Sequence, residues 1–303
     1  MHRREAFKLV AGAGALGLTM GSSGGAAAAA PKDKADHVTA ADGTRLFVRD
    51  WGRGKPVLFL AGWTLPSDFW GYQMAAVAEA GMRAVAYDRR GHGRSSDPGR
   101  GYDHDTLADD LARVIAALGL EDVTLVAHSM GGTEVARYFA RHGGRGVAKV
   151  VLVGTITPYL MKAADNPHGI DPAMLAALRA PLATDFPGWI AANAKPFFVP
   201  ETSAAMIEWG KGLMLQTSLL AALAMARANA ETDFRADVRR IGVPTLLVHG
   251  DKDASAPLPL TAQATAALIP QARLEIFEGA PHGLPLTHVA RLGRTLLDFA
   301  AGS

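Results

Sequence analysis

Val123-Thr124-Leu125-Val126-Ala127-His128-Ser129-Met130-Gly131-Gly132 is an apolar, β-type run that breaks into a turn of small residues and reopens as Thr133-Glu134-Val135-Ala136-Arg137-Tyr138. The pattern is a strand, a sharp turn carrying a serine, and a helix. A serine hydroxyl becomes an effective nucleophile when the backbone lifts it out of its strand, toward a base and onto the positive end of a helix. Ala127-x-Ser129-x-Gly131 fits such an elbow, with alanine in place of the first glycine, the mildest replacement where a side chain crowds the backbone. An ordinary strand-to-helix turn holding a serine would look the same over five residues. The discriminating feature lies downstream, because an elbow requires an acid and then a histidine later in the chain.

Working outward, His37 to Ala40 and Arg45 to Trp51 read as two strands around the turn Ala41-Asp42-Gly43, where Asp-Gly is a strong hairpin signal. Pro56 to Ala61 is a continuous apolar run, as expected for a strand buried on both faces of a parallel sheet. Ser67 to Ala80 reads as helix, Arg83 to Tyr87 as another strand, and Asp88 to Ser95 as a glycine-punctuated loop. A helix over Asp105 to Leu118 places Leu107, Leu111, Val114, Ile115 and Leu118 on one buried face. Ala148 to Val153, past the elbow helix, closes a β-α-β-α-β series that predicts a mostly parallel sheet flanked by helices, an α/β fold.

From Thr155 to about Asp237 the strand signal stops and prolines recur at 158, 167, 172, 181, 187, 196 and 200. Helical stretches over Pro172 to Arg179 and Ala204 to Ala228 predict a helical cap inserted over the carboxyl edge of the sheet. Phe186, Trp189, Phe197, Phe198, Met206, Trp209, Met214 and Leu215 are its candidate pocket residues. The sheet resumes at Val243 to Gly250 and Arg273 to Phe277, with a final helix to Phe299. There is no internal repeat.

The chain has 303 residues, 49% hydrophobic and 20% charged, which suits one large globular domain, residues 31–303, behind a leader. Arg3-Arg4-Glu5-Ala6-Phe7-Lys8 is a basic start, Leu9 to Met20 a short apolar core, and Gly24 to Pro31 offers small residues for a signal peptidase. Residues 1–30 are therefore expected to be an export signal, and its paired arginines resemble the twin-arginine type. That expectation makes the export machinery a partner and the mature protein periplasmic or secreted. The apolar run is shorter than the ~20 residues of a spanning helix. Gly12 to Gly17 matches the dinucleotide fingerprint formally, but no strand precedes it. Removing Arg3, Arg4, Lys8 and Glu5 from 31 basic and 29 acidic residues leaves 28 of each, so nothing points to nucleic acid or an anionic membrane. Cysteine is absent, which excludes disulfides, thiolate metal sites and a cysteine nucleophile.

In open parallel sheets ligands bind beyond the carboxyl ends of the strands. Ser129, the pair Asp251 and Asp253, and His282 all fall there. Asp253 is the stronger acid, because Asp251 directly follows Gly250 and can serve as a turn residue. His288 falls in predicted helix, away from a strand end. His128 and His249 are expected to pack near the site and His92 to support its glycine-rich loop. No histidine pair has the i, i+4 spacing of a helical zinc site, and no metal is called for. The backbone donors for an oxyanion are expected at Met130, after the nucleophile, and at Trp63, after the Pro56 to Ala61 strand.

From about His37 onward the chain resembles the α/β-hydrolase group of cofactor-free haloperoxidases and aryl esterases. The motifs that carry the resemblance are Ala61-Gly62-Trp63, Tyr87-Asp88-Arg89-Arg90-Gly91-His92-Gly93-Arg94-Ser95, Ala127 to Gly132, His249-Gly250-Asp251-Lys252-Asp253 and Gly279-Ala280-Pro281-His282-Gly283. The resemblance implies Ser129, Asp253 and His282 as a triad, Trp63 and Met130 as oxyanion donors, and no haem, metal or other cofactor. It implies a serine hydrolase acting on a small ester or lactone. The alternative is a perhydrolase that makes peracid from a carboxylic acid and hydrogen peroxide, and the third reading a non-catalytic ligand-binding protein. Three positions depart from the group: Ala61 for histidine, Ala127 for glycine, and Thr64 where haloperoxidases commonly carry proline. Threonine is expected to leave the loop after Trp63 freer than proline would, and Thr64→Pro to favour perhydrolysis.

Overall fold

A computed structural model describes residues 36–302 of the chain; the expected signal, residues 1–30, lies outside them. Eight strands form one sheet in the order β1-β2-β4-β3-β5-β6-β7-β8, from β1 (His37–Thr39) and β2 (Arg45–Gly52) through β3 (Pro56–Leu60), β4 (Arg83–Tyr87), β5 (Val123–His128) and β6 (Val147–Val153) to β7 (Thr245–Gly250) and β8 (Ala272–Phe277). The two N-terminal strands pair antiparallel, and β2 lies antiparallel on β4. Every other pair is parallel. All six residues of β5 are buried, with Leu125 opposite Leu58 of β3 and Val150 of β6. A strand buried along its whole length is stable only with neighbours on both sides and layers on both faces. The site-bearing elbow thus leaves the middle of the sheet.

Helices α1 (Gly71–Glu79), α2 (His104–Ala117) and α3 (Gly131–His142) connect the first half of the sheet. The stretch expected as one helix from Ser67 begins instead as a 3-10 turn, Ser67–Trp70. Helix α2 starts where the Asp103 carboxylate accepts from the Thr106 N–H, and it buries Leu107, Leu111, Val114 and Ile115. One core layer holds Phe59, Phe69, Trp70 and Val126; the other holds Leu58, Leu60, Leu125 and Val135. Ala127 is buried in the second layer, which accommodates its methyl group, and Ala61 in the first.

Between β6 and β7 lie α4 (Pro172–Arg179), α5 (Phe186–Ala194), α6 (Ala204–Met214) and α7 (Leu219–Glu231). The prolines there are compatible with helix because Pro172 and Pro187 occupy first-turn positions, where no intrahelical N–H is needed. Asp171, Asp185 and Ser203 cap the helices that follow them. The helical stretch expected from Ala204 to Ala228 is broken at residues 216–218. There the Gln216 carbonyl accepts from the Gly93 N–H, and the Ser218 N–H donates to Gly91. Thr217 forms a bridge with His92. The extended residues dock the insertion on the glycine-rich loop, a long-range constraint that helix propensity does not reveal.

Candidate active site

Ser129 occupies the turn between β5 and α3 with φ 52°, left-handed backbone that only a tightly constrained turn imposes on a serine. Its N–H donates to the Val153 carbonyl at 2.9 Å, tying the turn to β6. The crossing is close: a Cβ on Gly131 would lie 2.8 Å from the Leu60 carbonyl oxygen, and one on Gly62 would lie 2.6 Å from His128 Nδ1. Glycine at these two positions lets the β3 loop and the elbow approach each other.

The loop after β7 brings Asp253 to this turn, and the loop after β8 brings His282. His282 Nδ1 lies 2.7 Å from Asp253 Oδ2, and Nε2 lies 2.9 Å from Ser129 Oγ. A carboxylate only accepts, so Nδ1–H donates to Asp253 and Nε2 is left to accept from the serine hydroxyl. All three side chains are buried. Asp253 Oδ1 also accepts from the Ser255 and Ala256 N–H groups at 2.9 and 2.7 Å. Burial pushes the Asp253 carboxyl up, but the His282 ring, His249 and the Ala256 N–H outweigh it and hold the group below its ordinary value. Asp251 points elsewhere, accepting from the Gly279 N–H at 2.6 Å, and so shapes the turn before His282.

The other histidines sort by environment. His128 Nε2–H donates to the His282 carbonyl at 3.0 Å, and burial lowers its pKa to about 3, so it stays neutral while it fixes the loop that carries His282. His249 donates to the Ala256 carbonyl at 2.7 Å, supporting the Asp253 loop. His92 is fully buried with its pKa lowered to about 3 by burial. His288 stands between two helical segments and packs against Phe277 instead of continuing a helix.

Trp63 and Met130 flank the serine. Among the described residues neither backbone N–H donates to a protein acceptor. Met130 precedes the first turn of α3, where N–H groups and the helix dipole favour negative charge. Trp63 is anchored by its indole N–H, which donates to the Ala222 carbonyl of α7 at 2.9 Å, and by edge contact with Trp189 of α5. Thr64 is less free than its sequence suggests. Its φ is 61°, its hydroxyl donates to the Trp63 carbonyl at 2.7 Å, and its own carbonyl accepts from Thr217 at 3.0 Å.

Arg89 and Glu134 carry no assigned role in the sequence reading, yet they underpin the loop. Arg89 Nε donates to the Glu134 carboxylate on α3, Nη1 to the Gly62 carbonyl at 3.1 Å, and Nη2 to the Ala61 carbonyl. Tyr87 donates to Glu134 at 3.1 Å. Glu134 is raised to about 6 by burial, against the pull of Arg89. Arg89, two residues past the end of strand Arg83–Tyr87, is a charged residue at a strand end, but its partner lies too far along the chain for spacing to identify.

A cavity of about 460 Å³ opens above Ser129 and His282. Of the bulky residues expected to line it, Trp189, Phe197 and Met214 do. Phe186 and Phe198 are buried in the core, Met206 packs against that core, and Trp209 and Leu215 are exposed. Ile156, Leu160, Leu175 and Leu182 complete an apolar wall.

A hydrogen-bonded serine, histidine and carboxylate at the ends of parallel strands, beneath a helical insertion, is the arrangement of an α/β-hydrolase. The chain belongs to that family: the family pattern described as alpha/beta hydrolase fold matches residues 55–289. It is 40% identical to a non-heme haloperoxidase of Rhodococcus erythropolis over 86% of this chain and 98% of that protein. It is 36% identical to a bifunctional esterase/perhydrolase of Acinetobacter calcoaceticus over 87% and 98%. Among solved structures it is similar to an esterase from Exiguobacterium antarcticum, with TM-score 0.85, 32% identity, and coverage of 88% of this chain and 99% of that one.

Proposed function

We propose that the protein is a serine esterase that hydrolyses small carboxylic esters or lactones through an acyl-enzyme on Ser129. The observation that carries this reading is the hydrogen-bonded series Ser129–His282–Asp253 opening into an apolar cavity beside two unengaged N–H groups. Ser129 Oγ attacks the carbonyl carbon as its proton passes to His282 Nε2, and Asp253 stabilises the imidazolium. The oxyanion is held by the N–H groups of Trp63 and Met130. Collapse expels the alcohol, which takes the proton from His282. Water then gives a proton to the same nitrogen and attacks the acyl carbon, and collapse of this second intermediate returns that proton to Ser129 Oγ, releasing the acid and free Ser129. The test is p-nitrophenyl acetate: turnover that vanishes in Ser129→Ala supports the reading, and a protein without turnover would be a ligand-binding member of the fold.

The likeness to a haloperoxidase and an esterase/perhydrolase favours a second reading, in which peroxide resolves the acyl-enzyme. Thr64 weighs against it as the main activity, because its hydroxyl already donates to the carbonyl of Trp63, the residue whose N–H serves as oxyanion donor. Thr64→Pro does not suit this loop, contrary to what the sequence suggests. Proline fixes φ near −65°, whereas Thr64 stands at 61°, so proline would rebuild the loop instead of stiffening it. Thr64→Val, which replaces the hydroxyl with a methyl group and keeps the β-branched shape, is the appropriate variant and should raise the ratio of peracid formation to hydrolysis.

Export is proposed from residues 1–30 alone, through the twin-arginine route. N-terminal sequencing of exported protein should give a start between about Ala27 and Asp33, and an intact chain beginning at Met1 would contradict cleavage.

A further inference from the structure

The cavity wall is apolar except at its catalytic base and at a few side chains of the insertion, and two of those each carry one buried polar atom without a hydrogen-bond partner. Asn229 of α7 is 9% exposed and lines the cavity, and its Oδ1 is buried without a hydrogen-bond partner. Arg179, the last residue of α4, also lines the cavity, and its Nη1 is buried without a partner. A buried amide oxygen and a buried guanidinium nitrogen, each without a partner, on two residues that line one apolar cavity are costly to leave unpaired. By contrast Asn193, a third polar residue of the wall, donates its amide to the Trp189 carbonyl at 2.8 Å.

The charge near this pair is positive. Arg179 Nη2 donates to Glu231 Oε1 at 3.2 Å, but the same carboxylate accepts from Arg227 Nε through both oxygens, at 3.2 and 3.0 Å. One acid is therefore shared by two guanidinium groups. The acids that flank Arg179 and Asn229 in sequence are engaged elsewhere: Asp171 and Asp185 accept from the Ala173 and Gly188 N–H groups, and Asp233 is held by Arg235. Arg179 Nη1 is a donor without a partner, and Asn229, with its carboxamide turned so that Nδ2 takes the place of the orphan Oδ1, is a second; together they make a donor set for a carboxylate.

We propose that Arg179 and Asn229 form an acyl-end anchor and that the preferred substrates are esters or lactones whose acyl part carries a carboxylate remote from the reacting carbonyl. This rests on the esterase reading. The apolar wall receives the intervening methylene chain, and the anchor replaces the water that the carboxylate loses.

The test compares kcat/KM for p-nitrophenyl monoesters of linear dicarboxylic acids with that for p-nitrophenyl esters of monocarboxylic acids of matched chain length. At the chain length that spans the cavity the acidic ester should be favoured by about tenfold or more, as for a hydrogen bond to a charged group. Arg179→Met should bring the ratio to one or below, Arg179→Lys should keep part of it, and Asn229→Leu should lower it severalfold. These readouts are ratios within one protein, so partial loss of folded enzyme cancels. A wild-type ratio at or below one for every length, with neutral esters still hydrolysed, would overturn the anchor alone, as would a ratio that both Arg179→Met and Asn229→Leu leave intact. Absence of turnover on both series would overturn the esterase reading and the anchor with it.

Discussion

Arg89 donates through Nη1 to the carbonyl oxygen of Gly62 at 3.1 Å, and the peptide plane it holds is the one that carries the Trp63 N–H. In a trans peptide the C=O and N–H point in opposite directions, so a guanidinium on one side aims the donor out of the other. Glu134 holds the guanidinium from α3, the helix that begins at the elbow. The two proposed oxyanion donors are thereby braced against each other across β3 and α3.

Arg89→Met should therefore lower kcat by about a hundredfold, the scale of one lost oxyanion donor, with a much smaller change in KM. The single variant also strands Glu134 in the core, at a cost of about 3–5 kcal/mol. Adding Glu134→Gln should recover Tm without recovering kcat. Recovery of both would reduce Arg89 to a purely structural residue.

Asp253→Asn should reduce kcat by about ten-thousandfold through loss of the His282 tautomer, with the fold retained. Asp251→Asn should keep kcat within a few-fold and lower Tm, since it weakens the bond to Gly279 and the ion pair with Lys252 and touches neither Ser129 nor His282. Steady-state kinetics with thermal melts of both variants checks the ranking, and the reverse order would exchange the roles of the two acids.

The elements of this site that were legible in the sequence are those spelled out locally. The elbow, the Gly250-Asp251-Lys252-Asp253 turn and the Gly279 to Gly283 loop each announce themselves within a few residues, and strand order then brings them together. Other features are products of the fold. Arg89 meets Glu134 from 45 residues away, and the break at residues 216–218 contains neither glycine nor proline. Thr64 adopts a backbone conformation that β-branching disfavours, so its residue type pointed the wrong way. The unpartnered groups of Arg179 and Asn229 follow from packing, which composition cannot reveal.

Thr64→Pro should be damaging. The left-handed φ of 61° is closed to the proline ring, and the turn between Trp63 and Leu65 must change. Ester turnover should fall by more than about tenfold, as expected when a catalytic donor moves by ~1 Å. A variant with wild-type kcat would show that this loop tolerates a different path.

Stability should decline in acid for a definite reason. Burial lowers His92 and His128 to about 3, and burial with Arg137 lowers His104 to about 4, from an ordinary value near 6.5. Groups depressed in the folded state bind more protons when unfolded, so their contribution is full above pH ~6.5 and is lost as pH falls toward those values. By pH 5 each costs on the order of 2 kcal/mol. Glu134, raised to about 6, works in the opposite sense by less. Tm should fall by roughly 10 °C or more between pH 7 and pH 5, allowing ~2–4 °C per kcal/mol for a domain of this size. A Tm that is flat over that window would contradict the assignment of these histidines as buried and neutral.

The central claim is that Ser129 becomes covalently acylated, and the most direct test is mass spectrometry of the protein treated with an organophosphorus ester. One adduct per chain is expected, located by peptide mapping on Ser129, together with complete loss of ester turnover. Ser129→Ala should take up no label and show no turnover above background. Labelling at another residue, or ester turnover that survives in Ser129→Ala, would contradict the account.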